Sequence, residues 1–486
     1  MSKSSKSSKS QRAVEYQTVS ADYLEQRQLR KGAAGWVLLA GLGVAYVISG
    51  DFAGWNFGLA EGGWGGLLIA TVLMAVMYTC MVFGLAEMAS AMPVAGAGYG
   101  FARRALGPTG GFATGTAILI EYAIAPAAIA VFIGGYVEAL GLFGLTSGWP
   151  VFLVCYLIFI GVHIWGVGEA LRVMFVITAI AVIALIVFVV GMVGRFDADK
   201  LFDIPMTDAA GASTFLPFGF AGVLAAFVYG IWFFLAVEGV PLAAEEASNP
   251  KRDLPRGIIA AMAALLVFAA LMLLVAPGAA GSNTIAGSDN PLPDAIRAAY
   301  GGDNFLAQFV NYVGLAGLVA SFFSIIYAYS RQLFALSRAG YLPRWLSKTG
   351  RRKTPVLALV VPGTIGFLLA SFTMDGAKLI NIAVFGATVS YVLLNVSHIV
   401  LRVREPDMER PYRTPGGVVT TGIAAVLAVA AVVATFFVDE LAAAITAGIL
   451  LVALAYFFIH SRHHLVANAP EEEFAAIRAA ESELAD

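Results

Sequence analysis

Twelve apolar runs, each long enough to cross a lipid bilayer, constrain this chain more than any other feature of its sequence. A transmembrane helix needs about 20 consecutive apolar residues. Inside hydrocarbon every backbone amide and carbonyl must be hydrogen-bonded within the protein, so such runs fold as helices. The runs cover residues 34–60, 63–91, 110–143, 149–167, 169–194, 216–242, 257–281, 305–338, 355–374, 377–401, 416–438 and 440–460.

The composition excludes an ordinary soluble protein. Of the 486 residues, 59% are hydrophobic and 13% are charged, and the mean hydropathy is +0.81. Soluble domains are about 45–50% apolar and about 25% charged. A chain with so little charge cannot cover a soluble surface, which excludes a cytosolic enzyme, a secreted scaffold and a nucleic-acid binder. Because the apolar residues extend along the whole chain, a soluble domain with a single anchor is excluded as well.

The positions of Lys and Arg predict that both termini face the cytoplasm. With the N-terminus inside, all but four of the 30 basic residues lie on the cytoplasmic side. The four on the outer side are Arg195, Lys200, Arg297 and Lys378. We therefore expect a multi-pass protein of the inner (cell) membrane, with a cytoplasmic N-terminal tail (1–32), a transmembrane domain (33–462) and a cytoplasmic C-terminal tail (463–486). Residues 1–12 are expected to be disordered, and 471–486 to form a solvated tail or a short acidic helix.

Two of the runs contain residues that suit the middle of a helix poorly. The first has Ile48-Ser49-Gly50-Asp51, and the sixth should lose regular helix near Phe234–Glu238. These runs are the first members of two five-run halves, 1–5 and 6–10. Interrupted helices at matching positions of two halves indicate a transporter site at the membrane midplane. The alternative is that the glycines merely let helices pack closely.

Three carboxylates lie inside the apolar runs, namely Asp51, Glu121 and Glu238, and no Lys or Arg is expected deep in any run. An unpaired carboxylate at the bilayer centre costs about 2.5–3.5 kcal/mol or more. Each must be protonated, solvated in a cavity or matched by a cation from outside. The sequence therefore predicts a cavity for a positively charged guest.

Each acid also has a structural interpretation. Asp51 could cap the second half of an interrupted helix, and this would exclude a substrate carboxylate from that helix end. The site would then suit an amine without a carboxylate. Glu121 could be a protonated group that is hydrogen-bonded to a neighbouring helix. Glu238 is interpreted as a gating or proton-relay group, and Trp232 and Phe234 as aromatic cover for a cation.

Sequence signatures of enzymes are missing. There is no His-Glu-x-x-His, P-loop or Gly-x-Ser-x-Gly pattern, and Gly96-Ala97-Gly98-Tyr99-Gly100 lacks the spacing of a dinucleotide fingerprint. We therefore expect no enzymatic activity, no metal and no cofactor.

Three segments carry motifs of a known family: Ala244–Pro255 (AEEASNPKRDLP), Arg331–Gly340 (RQLFALSRAG) and Arg410–Arg413 (RPYR). Over about residues 34–460 the chain resembles the amino acid–polyamine–organocation transporters. The resemblance implies an all-α membrane protein of twelve transmembrane helices, a five-plus-five inverted repeat with broken helices 1 and 6. It also implies alternating access around those two helices.

Within that superfamily, Tyr46–Leu59 and Gly115–Ala127 look most like the ethanolamine permeases. By position, the resemblance implies that Ser49 and Gly50 match the break in helix 1. Trp232 then matches the gating aromatic of helix 6, and Glu121 matches a position that lines the substrate pocket.

Three positions depart from the family's usual residues. Asp51 stands where amino acid carriers usually have an apolar residue, and Ala236 stands where many have Gly. Ala181 stands where proton-coupled relatives often have Lys, so proton coupling through that Lys is absent.

We predict a secondary transporter that imports ethanolamine, a small ammonium alcohol, across the inner membrane. A permease or exchanger for cationic amino acids or polyamines is the alternative. A membrane sensor, a different class, would be expected to carry a soluble output domain. The expected partners are the amine, the lipid bilayer and a proton or sodium ion as candidate coupling ion. The predicted substrate-binding residues are Ile48, Ser49, Gly50, Asp51, Glu121, Trp232, Phe234 and Ala236, with Glu238 for gating or relay.

Overall fold

The computed structural model of this chain is mostly helical. It describes residues 14–17, 19, 23, 34–94, 96–467, 469, 470 and 472, and gives only the backbone for residues 143 and 167–172. The expectations for 1–12 and, apart from Glu472, for 471–486 lie outside the described residues.

Fifteen α-helices follow one another in the described residues. They are α1 Trp36–Val47, α2 Ser49–Phe52, α3 Phe57–Ala91, α4 Ala97–Ala139, α5 Trp149–Trp165, α6 Val167–Met192, α7 Gly219–Trp232, α8 Pro250–Ala280, α9 Ser282–Ile285, α10 Pro291–Tyr300, α11 Phe305–Arg338, α12 Val356–Thr373, α13 Gly376–Arg404, α14 Val418–Val438 and α15 Glu440–Ile459. Short 3₁₀ helices cover Leu142–Gly144, Val193–Arg195, Ala198–Phe202, Val237–Glu246, Arg344–Ser347 and Ser461–His463, and two short strands are β1 Tyr16–Gln17 and β2 Leu465–Val466.

Every predicted apolar run falls on helix. In the described part of the chain, 10 helices are long and apolar enough to cross a membrane. Two further helices, α1 with 12 residues and α5 with 17, are apolar but shorter. The multi-pass architecture is thus confirmed, whereas the count of twelve crossings and the inverted relation of the two halves stay predictions.

The outer helices present apolar side chains on their free faces. Val426 on α14 is 70% exposed, and Val452 and Ile459 on α15 are 71% and 80% exposed. A water-soluble protein rarely leaves such continuous apolar surface uncovered. These faces suit the hydrocarbon of a bilayer.

The first interruption begins inside the predicted segment. Helix α1 ends at Val47 and α2 begins at Ser49, so the regular helix is broken at Ile48, within the predicted Ile48–Asp51. One helical turn then follows as far as Ala53, whose amide donates to the Ser49 carbonyl at 3.0 Å. The backbone leaves helical geometry altogether at Ala53 (φ −160°, ψ 159°) and Gly54 (φ +96°), just after the predicted segment.

The second interruption lies close to the predicted place. Helix α7 ends at Trp232, four residues of turn follow, and the chain continues as the 3₁₀ helix Val237–Glu246. Ala236 has φ +76° and ψ 3°, a left-handed conformation that favours glycine. Ala236 thus makes a turn of the kind that glycine usually makes.

The two interruptions lie directly against each other. A side chain at Gly50 would come within 2.5 Å of the Trp232 carbonyl oxygen, so only glycine allows this approach. The Trp232 indole Nε1–H donates to the Ala53 carbonyl at 3.0 Å. Residues from the two predicted halves of the chain thereby form one junction in the interior.

The described segments nearest the two termini lie on the same face of the protein. Strand β1 pairs in parallel with β2, with Tyr16 opposite Leu465. The buried Glu472 carboxylate accepts hydrogen bonds from the Tyr341 hydroxyl at 2.7 Å and from Arg103 Nε at 2.6 Å. This placement agrees with termini on one side of the membrane, and the assignment of that side to the cytoplasm stays a prediction.

Candidate functional site

Glu121 lies in the middle of α4 and is fully buried. The hydroxyl of Tyr391, on α13, donates to Glu121 Oε1 at 3.4 Å. Its Oε2 has no hydrogen-bond partner among the described residues. The predicted pocket residue therefore points into the interior and retains an open acceptor.

Glu238 lies beside Glu121. The 3₁₀ helix after Ala236 carries Glu238 to within 3.2 Å of the same Tyr391 hydroxyl, and the Tyr122 hydroxyl donates to Glu238 at 3.0 Å. The two carboxyl groups therefore lie on either side of one shared hydroxyl. The sequence interpretation separated Glu238 from the substrate position, whereas the structure brings the two acids together. We call Glu121 and Glu238 the carboxyl pair.

Three tyrosines surround the carboxyl pair. Tyr78 donates to the Tyr391 hydroxyl at 2.8 Å, and Tyr122 follows Glu121 directly on α4. Phe234 packs on Tyr78 with ring centroids 5.5 Å apart, so the predicted aromatic cover borders this network. Sequence reasoning missed the three tyrosines as site residues. A tyrosine inside an apolar run is usually interpreted as a packing residue, because the sequence does not show which group its hydroxyl bonds in the folded protein.

Basic side chains are buried elsewhere in the protein. Arg331, on α11, is 5% exposed, pairs with Glu246 at 2.9 Å and lies over the Tyr327 ring at 4.0 Å. Arg331 lies within the last eight residues of α11, near one end of its run, so the expectation that no basic residue lies deep in a run stays a prediction. Arg331 is compatible with burial because Glu246, from the 3₁₀ helix, supplies the opposite charge.

No described Lys or Arg forms an ion pair with the carboxyl pair. Two buried carboxylates that share one hydroxyl cannot readily both be ionised without a cation, so they hold a proton or bind a guest cation. The chemistry available here is therefore cation or proton binding.

Asp51 occupies a separate place. Its side chain is fully buried, and neither oxygen has a hydrogen-bond partner among the described residues. No hydrogen bond or ion pair links it to Glu121 or Glu238 in the described set. The capping interpretation is wrong, because Asp51 lies within α2 and its carboxylate accepts from no backbone amide.

The other predicted residues line the junction between the interruptions. The Ser49 and Ser321 hydroxyls are 2.8 Å apart, and Ser321 donates to the Tyr46 carbonyl at 2.6 Å. The Ile48 carbonyl accepts from the Asp51 amide at 3.1 Å. Ser49 thus joins the first interrupted helix to α11, whereas Trp232 joins the two interruptions.

Comparison with known proteins agrees with this geometry. The sequence profile of the family described as "Amino acid permease" matches residues 37–466, which is most of the chain. The chain belongs to this amino acid permease family. It is a transporter by family, so the expectation of a membrane permease is confirmed at that level.

Individual relatives differ in what they are named for. The permease is 28% identical over 433 residues to the branched-chain amino acid permease of Bacillus subtilis, covering 83% of this chain and 87% of that protein. It is 26% identical to the methylthioribose transporter of Bacillus subtilis, covering 82% and 87%. It is 28% identical to the vacuolar cationic amino acid transporter 4 of Arabidopsis thaliana, covering 70% and 57%.

Proposed function

We propose that this permease imports a small organic amine without a carboxylate, with ethanolamine as the expected substrate. The observation that carries the proposal is the carboxyl pair: Glu121 and Glu238 meet inside the protein, and no described basic side chain neutralises them. An ammonium group placed between them supplies the missing charge. It also supplies three hydrogen-bond donors to a site rich in acceptors.

The substrate's ammonium binds the carboxyl pair, and the hydroxyls of Tyr122 and Tyr391 complete its surroundings. These hydroxyls can also bond the alcohol of ethanolamine, because a hydroxyl both donates and accepts. Phe234 covers the site through its contact with Tyr78. Aromatic faces near a cation add about 0.5–2 kcal/mol of attraction.

A substrate carboxylate would be disfavoured at this place. Two unit charges of like sign 4 Å apart repel by about 4 kcal/mol at an effective dielectric constant of 20. Amino acids that carry a carboxylate beside their ammonium would meet this repulsion. The proposal therefore separates the permease from relatives that are named for amino acid transport.

Transport requires that the site open in turn to each side of the membrane. Glu121 is fully buried and Glu238 is 5% exposed, so the described conformation is closed around the carboxyl pair. The contact between Gly50 and the Trp232 carbonyl joins the two interrupted helices that would move. We place the permease in the inner membrane, with both termini in the cytoplasm.

A second candidate substrate class is a cationic amino acid or a polyamine. The supporting observation is Asp51, a second buried acid that is separate from the carboxyl pair. A diamine could place one ammonium on the pair and the other near Asp51. The relative named as a cationic amino acid transporter adds support for this class.

Uptake into proteoliposomes tests the two classes directly. Labelled ethanolamine, putrescine, lysine and leucine would be offered to vesicles that contain the purified permease, with protein-free vesicles as the control. Accumulation of ethanolamine above the other three supports the proposal. Accumulation of lysine or leucine without ethanolamine contradicts it, and binding without accumulation would indicate a sensor. Repeating the assay with imposed proton and sodium gradients identifies the coupling ion.

A further inference from the structure

A cavity of about 370 Å³ lies at the end of α5, away from the carboxyl pair. One wall is the last turn of α5, with Gly161 and Trp165, and the other is the loop that leads into α12, with Arg351, Arg352 and Thr354. A side chain at Gly161 would meet no atom within 4 Å, so the space beside it is open. Pockets that hold small molecules or headgroups have volumes of about 300–1,000 Å³.

The loop wall of this cavity is strongly basic. Lys348, Arg351, Arg352 and Lys353 lie within six residues, and no Asp or Glu occurs from Ala339 to Met374. Arg351 is exposed and forms no hydrogen bond or ion pair with any described residue. A guanidinium without a partner among the described residues offers paired N–H donors that match the oxygens of a phosphate group.

The helix wall fixes the second guanidinium. Arg352 Nη1 donates to the Trp165 carbonyl, the last of α5, at 2.6 Å, and its guanidinium lies 5.2 Å from the Trp165 ring centre. Trp165 itself is 75% exposed. Tryptophan with an exposed ring is typical of the membrane–water interface, so this end of the cavity lies at headgroup depth.

Apolar surface continues from the cavity along both helices. Leu157, one turn before Gly161 on α5, is 64% exposed, and Val360, one turn after Val356 on α12, is also exposed. The basic loop thus stands at one end of an uncovered apolar strip. A phospholipid has this same division, with a phosphate at one end and acyl chains at the other.

We propose that this cavity binds the headgroup of an anionic phospholipid, with the phosphate on Arg351 and Arg352 and the acyl chains on the strip that contains Leu157 and Val360. Basic pockets between transmembrane helices are suited to anionic lipid headgroups. The site is independent of the transported substrate. The lipid-binding test is therefore independent of whether the permease transports ethanolamine.

Lipid binding by the purified full-length permease tests the proposal. Native mass spectrometry and thermal melting in detergent would be measured with phosphatidylglycerol, phosphatidylcholine and glycerol 3-phosphate. Phosphatidylglycerol should bind saturably and raise the melting temperature, and phosphatidylcholine should do neither. Arg351→Gln with Arg352→Gln should weaken phosphatidylglycerol binding about thirtyfold, or about fivefold for each charge.

A matched variant removes the same charge elsewhere. Arg404 and Arg413 are exposed on the same predicted side, and Arg404→Gln with Arg413→Gln should change lipid affinity less than twofold. Equal loss in both double variants would overturn the specific site. Glycerol 3-phosphate binding as tightly as the lipid would also overturn it and show a soluble-anion site. If the Arg352 change prevents folding, Arg351→Gln alone decides, because an unchanged affinity contradicts the proposal.

Discussion

Two buried acidic centres in this permease differ in whether the protein supplies basic side chains to neutralise them. At the end of α3, Glu87 is paired with Arg402 at 2.6 Å and Arg410 at 2.9 Å, and the Thr414 amide donates to it at 2.7 Å. Glu121 and Glu238, in contrast, have tyrosine hydroxyls as their described partners.

The difference indicates two roles for a buried acid. The charge of Glu87 is neutralised by Arg402 and Arg410, and these ion pairs connect α3 to α13 and to the segment that follows it. The carboxyl pair lacks a resident cation, so its charge is available to something that comes and goes. An acidic cluster whose charge is neutralised by the protein's own basic residues contributes to the fold, whereas one that lacks such residues is suited to binding a cation.

The largest expected effect comes from changing the carboxyl pair. Glu121→Gln should lower the kcat/KM of ethanolamine uptake at least ~100-fold, because the amide leaves the ammonium without its nearest charge. Uptake in proteoliposomes measures this. Glu138→Gln, an exposed change on the same helix, should transport normally. Normal uptake by Glu121→Gln would remove this residue from the site.

The opposite result is expected at Glu87. Glu87→Gln leaves Arg402 and Arg410 without their carboxylate and should destabilise the fold by about 3 kcal/mol. Thermal melting should therefore fall, while the protein that stays folded binds ethanolamine with unchanged affinity. A variant that melts normally but loses amine binding would reverse the roles assigned to the two centres.

A change at Asp51 tests whether this isolated acid contributes to amine binding, like the carboxyl pair, or to the stability of the fold, like Glu87. Asp51→Asn should lower amine affinity about tenfold, because a further buried negative charge attracts an ammonium by roughly 1–2 kcal/mol at an effective dielectric constant of 20. Melting should not fall, since Asp51 accepts no described hydrogen bond that the change would break. The exposed Asp208→Asn serves as the control. A loss of stability with unchanged affinity would make Asp51 a structural group.

Trp232 tests the junction that carries Glu238 toward Glu121. Trp232→Phe retains an aromatic ring but removes the hydrogen bond to the Ala53 carbonyl, which contributes about 1 kcal/mol. Transport should slow about fivefold while ethanolamine binding remains measurable. Counterflow rates and equilibrium binding, measured on the same preparation, separate the two effects. Equal loss of both would place the indole in direct contact with substrate.

The smallest effect is expected at the turn just before Glu238. Ala236→Gly relieves a left-handed alanine and should raise the free energy of unfolding by about 1 kcal/mol. Ala243→Gly, at an ordinary φ of −87° in the 3₁₀ helix that follows this turn, should instead lower the free energy of unfolding by about 0.5–1 kcal/mol. Melting temperatures of the two variants check the sign. A stabilising Ala243→Gly would contradict the explanation by backbone conformation.

The sequence alone determined the membrane class, the positions of the helices and the excess of buried acid. These are local properties, because apolar length and charge are read within about 20 residues. The interruption before Glu238 was also predictable from its turn-forming and polar residues. The interruption near Asp51 begins at Ile48, as predicted, whereas its continuation at Ala53 and Gly54 was not predictable, because the Ala53 carbonyl is held there by Trp232 from a distant part of the chain.

Only the tertiary structure decided which charges meet. Tyr122 and Glu238 are 116 residues apart in the chain, and their contact depends on how α4 and the second interruption face each other. The same packing pairs Arg331 with Glu246 and places the Tyr391 hydroxyl within hydrogen-bond distance of both acids of the carboxyl pair. It leaves the Asp51 carboxylate without a described hydrogen-bond partner. Such encounters are set by the rotation and approach of whole helices, and the local sequence does not encode either.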